Sequence, residues 1–214
     1  MKLLSPDSGL MRGLSDLADA VWINVLMLLS CIPVVTVGAA LTAAHDVCRR
    51  SLEGRGHVTA DYCKAFRANF LKATGLWLFF GPMLALLVWA WIFLQITPLL
   101  VVKFGLSVVW VLGFEWVWAL QARFENSLGR TLWNSFIFSV SHIGSSLTMI
   151  AMDALYLGLI AASWVYMPQG LFLLVILGFG SLIMLHTPVL ERAFARYVRQ
   201  ESWRGANQSI PGER

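Results

Sequence analysis

The sequence predicts an all-α polytopic transmembrane helical bundle. It reads as about six membrane helices, with five as the alternative, joined by short amphipathic cytoplasmic helices. Three observations predict this. Hydrophobic residues are 58% of the 214 residues, against roughly 45–50% for a soluble chain. Charged residues are 13%, about half the soluble norm of roughly 25%, and mean hydropathy is +0.70. A soluble domain of this size cannot hide so much apolar surface, whereas lipid can take the place of a core.

The third observation is where the charge lies. Fifteen of the sixteen Lys and Arg residues fall in four polar stretches: before Val21, in 45–73, in 123–141 and in 191–214. Only Lys103 sits inside an apolar run. The connections around Cys31–Thr36, Gln95–Pro98 and Tyr166–Gly170 carry no charge. Positive charge beside membrane segments is retained on the cytoplasmic side. The expected address is therefore the bacterial cytoplasmic membrane, multi-pass, with both termini cytoplasmic.

The elements follow in order. Asp7 or Ser8 is placed to cap a short turn leading into Leu17–Val35, an apolar run long enough to cross a ~30 Å core. Asp7, Asp16 and Asp19 precede it and no small-residue cleavage site follows, so it reads as an anchor that stays. Pro33 ends the run, and Thr36 is placed to cap a second helix, Val37–Arg50. Small residues recur there at i and i+4: Gly38/Thr42, Ala39/Ala43, Ala40/Ala44. Such ridges let backbones approach closely, which places this helix in the middle of the bundle or on a partner; the alternative is an ordinary span.

Glu53-Gly54-Arg55-Gly56 reads as a turn, and Thr59 as the cap of an amphipathic helix over 59–73. Tyr62, Phe66 and Phe70 form its apolar stripe, with Lys64 and Arg67 off it. That face suits the membrane interface or a docking partner. Thr74–Ile96 is the next span. After a reversal at Pro98, Leu99–Ala122 returns, followed by an amphipathic stretch around Leu132–Val140. Ile143–Val165 and Gly170–Leu190 complete the spans. Trp77 and Trp118 fall near inner ends, and Trp89, Trp91 and Trp164 near outer ends, as an aromatic belt requires. Trp110 falls at mid-depth, as packing. Residues 1–190 form one transmembrane domain. Residues 191–214 form a basic helical extension, with Arg192, Arg196 and Arg199 on one face toward lipid or a partner, and a flexible tail from Gly205.

Reversal at Pro33 gives six helices and puts all fifteen flanking basic residues on one side. A single kinked helix over Leu17–Arg50 gives five and moves Lys2 and Arg12 across. The charge pattern prefers six.

An ionisable residue inside a span is a functional candidate, since burying it costs at least roughly 2.5–3.5 kcal/mol. Asp153 lies near the middle of its helix. Glu115 lies about two turns from the inner end, facing either a cavity or Arg123. Asn24, His45, Asp46, Gln95 and His186 complete the polar set. Asp153 and Glu115 either face a hydrated cavity, carrying protons or binding a sugar, or fix helix register.

The sequence excludes several classes. It carries no GxSxG, Walker A, HExxH or GxGxxG-plus-acid pattern, so no enzyme is expected. Cys31, Cys48 and Cys63 show no metal spacing, so free thiols are expected, with no metal and no cofactor. Basic residues edge the spans instead of covering one soluble face, so the partners expected are membrane lipids, not nucleic acid.

Pro6-Asp7-Ser8, Leu17 with Asn24, and the run Ile32-Pro33-Val34-Val35-Thr36-Val37-Gly38-Ala39-Ala40-Leu41-Thr42-Ala43 form a dense motif. Phe66-Arg67-Ala68-Asn69-Phe70 follows, and more weakly Ala122-Arg123-Phe124-Glu125-Asn126. In these residues the sequence resembles the YesL family of bacterial membrane proteins, a domain of unknown function. The similarity fades after about Ser127, and His45-Asp46 depart from the aromatic residues of the family. The resemblance implies an accessory or regulatory role in carbohydrate uptake, with sugar ABC importer permease subunits as partners. Phe66, Asn69 and Phe70, together with Gly38, Ala39, Thr42 and Ala43, are then the expected packing or contact surface. A self-contained transporter or channel using Asp153 and Glu115 is the alternative.

Overall fold

The structure is a computed structural model that describes residues 9–54 and 57–208. The described residues form seven α-helices: α1 (Gly9–Cys31), α2 (Val37–Leu52), α3 (Val58–Phe93), α4 (Leu100–Arg123), α5 (Leu128–Ser141), α6 (Ile143–Tyr166) and α7 (Gly170–Gln208). Single 3-10 turns at Val34–Thr36 and Thr97–Leu99 make two of the connections. The fold is the expected all-α membrane bundle.

Five helices are long and apolar enough to cross a membrane: α1, α3, α4, α6 and α7. The expected sixth, α2, has only 16 residues, or about 24 Å at 1.5 Å per residue, and it carries Asp46, Arg49 and Arg50. Its length and charge remove it from the count. The chain nevertheless reverses at Pro33. Ser51 Oγ, at the far end of α2, donates to Asp19 Oδ2 in α1 at 2.6 Å. The kinked single helix is thereby also excluded.

α2 is central, as its composition requires. Gly38, Ala39, Ala40, Thr42, Ala43 and Ala44 are buried, and the helix packs against α1, α3, α4 and α7. A Cβ on Gly38 would strike the Ala73 carbonyl and the Trp77 and Trp118 side chains. Only glycine allows the α2–α3 approach seen there. These small residues therefore serve helix packing within the chain and are not open to a partner.

The amphipathic segment and the span that follows it are one helix, α3. Nothing in Leu71-Lys72-Ala73-Thr74 breaks a helix, so the chain continues through it for 36 residues. The Tyr62–Phe66–Phe70 stripe turns inward: Tyr62 is buried and Phe66 packs on the α1–α2 core. Lys64, Arg67, Leu71 and Lys72 face outward. Thr59 does not cap α3. His57 precedes the helix, and Thr59 Oγ1 accepts from Trp22 Nε1 at 2.8 Å. Thr36 does not cap α2 through its side chain either; its hydroxyl donates back to the Pro33 carbonyl at 2.6 Å.

Two aromatic clusters tie the rest. Phe80, Trp110, Phe114 and Trp118 join α3 to α4. Trp110 stacks on Phe114 and donates to the Phe80 carbonyl at 3.0 Å, which is the packing role expected of it. Trp118 is buried against Trp77, so these two belong to the core and not to an interfacial belt. Trp89, Trp91 and Trp164 are exposed, as belt residues are. Trp116, Phe138 and Phe194 join α4, α5 and α7. The exposed face of α5 is Trp133, Ile137 and Val140, an apolar stripe at helical spacing suited to lipid.

Lys103, the one cation within an apolar run, has a structural explanation. Its Nζ donates to the Leu94 carbonyl at 2.7 Å and lies 4.9 Å from the centre of the Trp91 ring. A cation at the last carbonyls of a helix meets the negative end of its dipole. Replacement by methionine is expected to cost about 1–2 kcal/mol, read as a lower melting temperature in detergent.

α7 runs on to Gln208, so the residues after Gly205 begin in helix; 209–214 lie outside the described residues, as do Asp7 and Ser8. Arg192 is exposed, while the Arg196 and Arg199 side chains lie outside the described set. Cys31, Cys48 and Cys63 are free.

Candidate intramembrane site

Three helices bring three ionisable side chains together. Glu115 comes from α4, Asp153 from α6 and His186 from α7. His186 Nε2 lies 3.4 Å from Asp153 Oδ1, and His186 Nδ1 lies 3.8 Å from Glu115 Oε2. One ligand atom from each residue lies within 4.8 Å of the others. The imidazole thus stands between two carboxylates. Of the two readings open for Glu115, the link to Arg123 is not the one adopted: Arg123 pairs with Glu191 at 3.4 Å.

The cluster lines a cavity of about 190 Å³ whose other walls include Leu41, Phe114, Trp118, Tyr156 and Phe179. The walls are apolar apart from the triad, His45 and the Tyr156 hydroxyl. That hydroxyl donates to the Leu174 carbonyl at 3.0 Å. His45, from α2, lines this cavity and also a smaller one of about 20 Å³ bounded by Arg49, Arg123, Thr187 and Glu191. One side chain therefore stands between the triad and a charged recess at the basic ends of α2 and α4.

Helix geometry positions the group. α7 presents His186 just before Thr187-Pro188, and Pro188 lies inside the helix. Proline lacks the N–H that would hold the Met184 carbonyl one turn back, and Thr187 Oγ1 donates to the adjacent Ile183 carbonyl at 2.8 Å. Two to three turns before His186, α7 is gripped by α1. Asn24 Nδ2 donates to the Val175 and Ile176 carbonyls at 2.8 and 2.7 Å, and Asn24 Oδ1 accepts from the Gly180 N–H at 3.0 Å. Ile176 and Gly180 are the pair that an unmodified helix bonds i to i−4. The carboxamide splices into that rung, a recognised cause of helix bending. Asn24 is thus a fixed joint between α1 and α7 and does not face the cavity. Asn24→Leu is expected to cost about 1–2 kcal/mol, the upper range for interhelical hydrogen bonds in membranes, measurable by thermal denaturation in detergent.

The remaining candidates are separate. Asp46 is held by its own helix, 2.7 Å from Arg49 Nη2 and 2.8 Å from Arg50 Nη2. Arg49 also pairs with Glu53. These i,i+3 and i,i+4 pairs tie off the end of α2. Asn69 Oδ1 accepts from Gln121 Nε2 at 3.1 Å, and Gln121 Oε1 accepts from Thr131 at 3.4 Å. That chain locks α3, α4 and α5 together. His186 was visible as an intramembrane polar residue, but nothing in the spacing along the chain joins it to Glu115 and Asp153; only packing does.

The class is therefore a helical membrane bundle with a polar cavity among its span-forming helices. A family described as "Protein of unknown function, DUF624" matches residues 20–91, from α1 through most of α3. The match includes Asn24 and His45 and stops before Glu115, Asp153 and His186. No curated protein and no solved structure matches the chain.

Proposed function

We propose that the protein is a self-contained small-solute transporter or channel of the bacterial cytoplasmic membrane, with the Glu115–Asp153–His186 cavity as its binding site. The convergence of the three side chains carries the reading. Each costs at least roughly 2.5–3.5 kcal/mol to place at membrane depth on insertion scales. Two interhelical joints use neutral groups, Asn24 in one and Asn69, Gln121 and Thr131 in the other, and the buried cation Lys103 is held by helix-end carbonyls away from the cavity. Charge at the cavity is thus better explained by a polar cargo than by packing. The role is non-enzymatic.

The α1–α2 reversal supports an orientation. A pair that turns back at Pro33 begins and ends on one face, whether or not α2 crosses fully. The basic stretches then all remain cytoplasmic, consistent with the positive-inside rule, and both termini share that side. The recess beside His45 would open inward.

Reconstitution of the purified protein into liposomes tests the reading. Flux of protons, followed by an internal pH dye, and uptake of labelled sugars and divalent cations are measured against empty vesicles. Transport of at least one above background is expected. A protein that moves none of them faster than empty vesicles overturns the reading.

The second reading is an accessory subunit of a sugar ABC importer. The resemblance to the YesL family supports it, as does the outward edge of α3, where Lys64, Arg67 and Lys72 are exposed while the small-residue face of α2 is already covered. Affinity purification in mild detergent from cells grown on several sugars tests it. Recovery of no permease or solute-binding protein removes it.

A further inference from the structure

We propose that Glu115, Asp153 and His186 bind a divalent transition-metal ion, of the zinc or manganese class. This deepens the transport reading, on which it rests for the claim that the bound ion is cargo.

The donor set is one imidazole nitrogen and two carboxylate oxygens, a ligand combination suited to borderline divalent ions. All-oxygen cages suit calcium and magnesium, and sulfur donors suit copper(I); neither occurs at this cavity. The separations fit. Ligands about 2.1 Å from a tetrahedral ion stand about 3.4 Å apart, and His186 Nε2 stands 3.4 Å from Asp153 Oδ1. Glu115 offers its oxygen within 4.8 Å of both. Three protein ligands facing a cavity leave a coordination position open, as in exchangeable sites and not closed structural ones.

A second observation points to a ligand independently of the cluster. His186 is 6% exposed, and its Nε2, though 3.4 Å from Asp153 Oδ1, makes no hydrogen bond. A buried polar atom without a hydrogen bond costs free energy, and the large majority of buried side-chain polar atoms in folded proteins have one. This one lies on the wall of the cavity. An ion held between Nε2 and the Asp153 carboxylate would satisfy the nitrogen and neutralise carboxylate charge at the same time.

Titration calorimetry of the detergent-purified protein with Zn²⁺ tests binding, and Co²⁺ supplies a visible absorption spectrum. One ion per chain is expected, with no sulfur-to-metal band in the cobalt spectrum. Asp153→Asn and His186→Gln should each weaken binding by at least tenfold, whereas Cys63→Ser, at an exposed thiol, should leave it unchanged. Absence of saturable binding overturns the proposal. So does a thiolate band in the wild-type spectrum, which needs no variant to fold, and so does unchanged affinity in both site variants. A protein that binds Zn²⁺ yet transports nothing keeps the site and removes transport; one that transports sugar or protons and binds no ion keeps transport and removes the site.

Discussion

Replacing Gly180 by alanine is expected to destabilise the bundle by roughly 2–3 kcal/mol, near the top of the usual range for overpacking. A Cβ at this position would collide with the Ala20 backbone carbonyl and with Asn24. Backbone cannot rotate out of the way as a side-chain tip can. α1 must therefore withdraw from α7, and the Asn24 carboxamide loses its grip on Ile176 and Gly180 together. Thermal denaturation followed by size-exclusion chromatography in detergent reads the effect. Gly158→Ala in α6 is the control. Nothing lies within reach of a Cβ there, so the variant should be unchanged or gain up to about 1 kcal/mol from helix propensity. Equal losses for the two variants would show that the α1–α7 contact is not close.

Asp153→Asn is expected to lower solute flux in liposomes at least about tenfold, equivalent to about 1.4 kcal/mol, while leaving the protein monodisperse. Asparagine keeps the shape of the side chain and removes the charge that faces His186. His186→Gln should do the same, since the imidazole is the group shared by both carboxylates. Gln95→Ala should leave flux unchanged. Gln95 is exposed just past the end of α3, and its amide returns to the Trp91 and Ile92 carbonyls of that helix. A loss in Gln95→Ala equal to that in Asp153→Asn would mean that the cavity does not set the rate.

Hydropathy and charge made much of the bundle legible. α4 and α6 begin and end within a residue or two of their expected limits, because uncharged turns at Pro98 and Tyr166–Gly170 bound them. The central place of α2 was visible in its small residues. Its shortness was also written there, in Asp46, Arg49 and Arg50 so close to Val37. The join within α3 was hidden because amphipathic and apolar periodicities meet without a breaker. Trp77 and Trp118 showed their depth but not their neighbours, so burial could not be told from the interface.

The site was half legible. Glu115 and Asp153 stood out as charges in apolar helices. Their meeting with His186 depends on how α4, α6 and α7 rotate about their axes, and all three have weak amphipathic signal because lipid and core are both apolar. Asn24 stood out for the same reason as Asp153 and does something different: its neutral amide completes a neighbouring helix, whereas the triad leaves a buried imidazole nitrogen without a hydrogen bond. Sequence marks polar residues in the membrane alike; partners separate them.

The central claim is that a water-accessible polar site lies inside the bundle. Thiol labelling in native membranes tests it directly. Leu41 faces the cavity from α2, and Leu86 is exposed on the span-forming part of α3, where lipid surrounds it. Each is replaced by cysteine in a chain whose Cys31, Cys48 and Cys63 have been removed. Charged thiol reagents require water and a thiolate. Leu41→Cys is predicted to label at a rate approaching that of exposed Cys63 in a chain that keeps only that native thiol, and Leu86→Cys to remain unlabelled. Labelling of Leu41→Cys no faster than Leu86→Cys would contradict the claim.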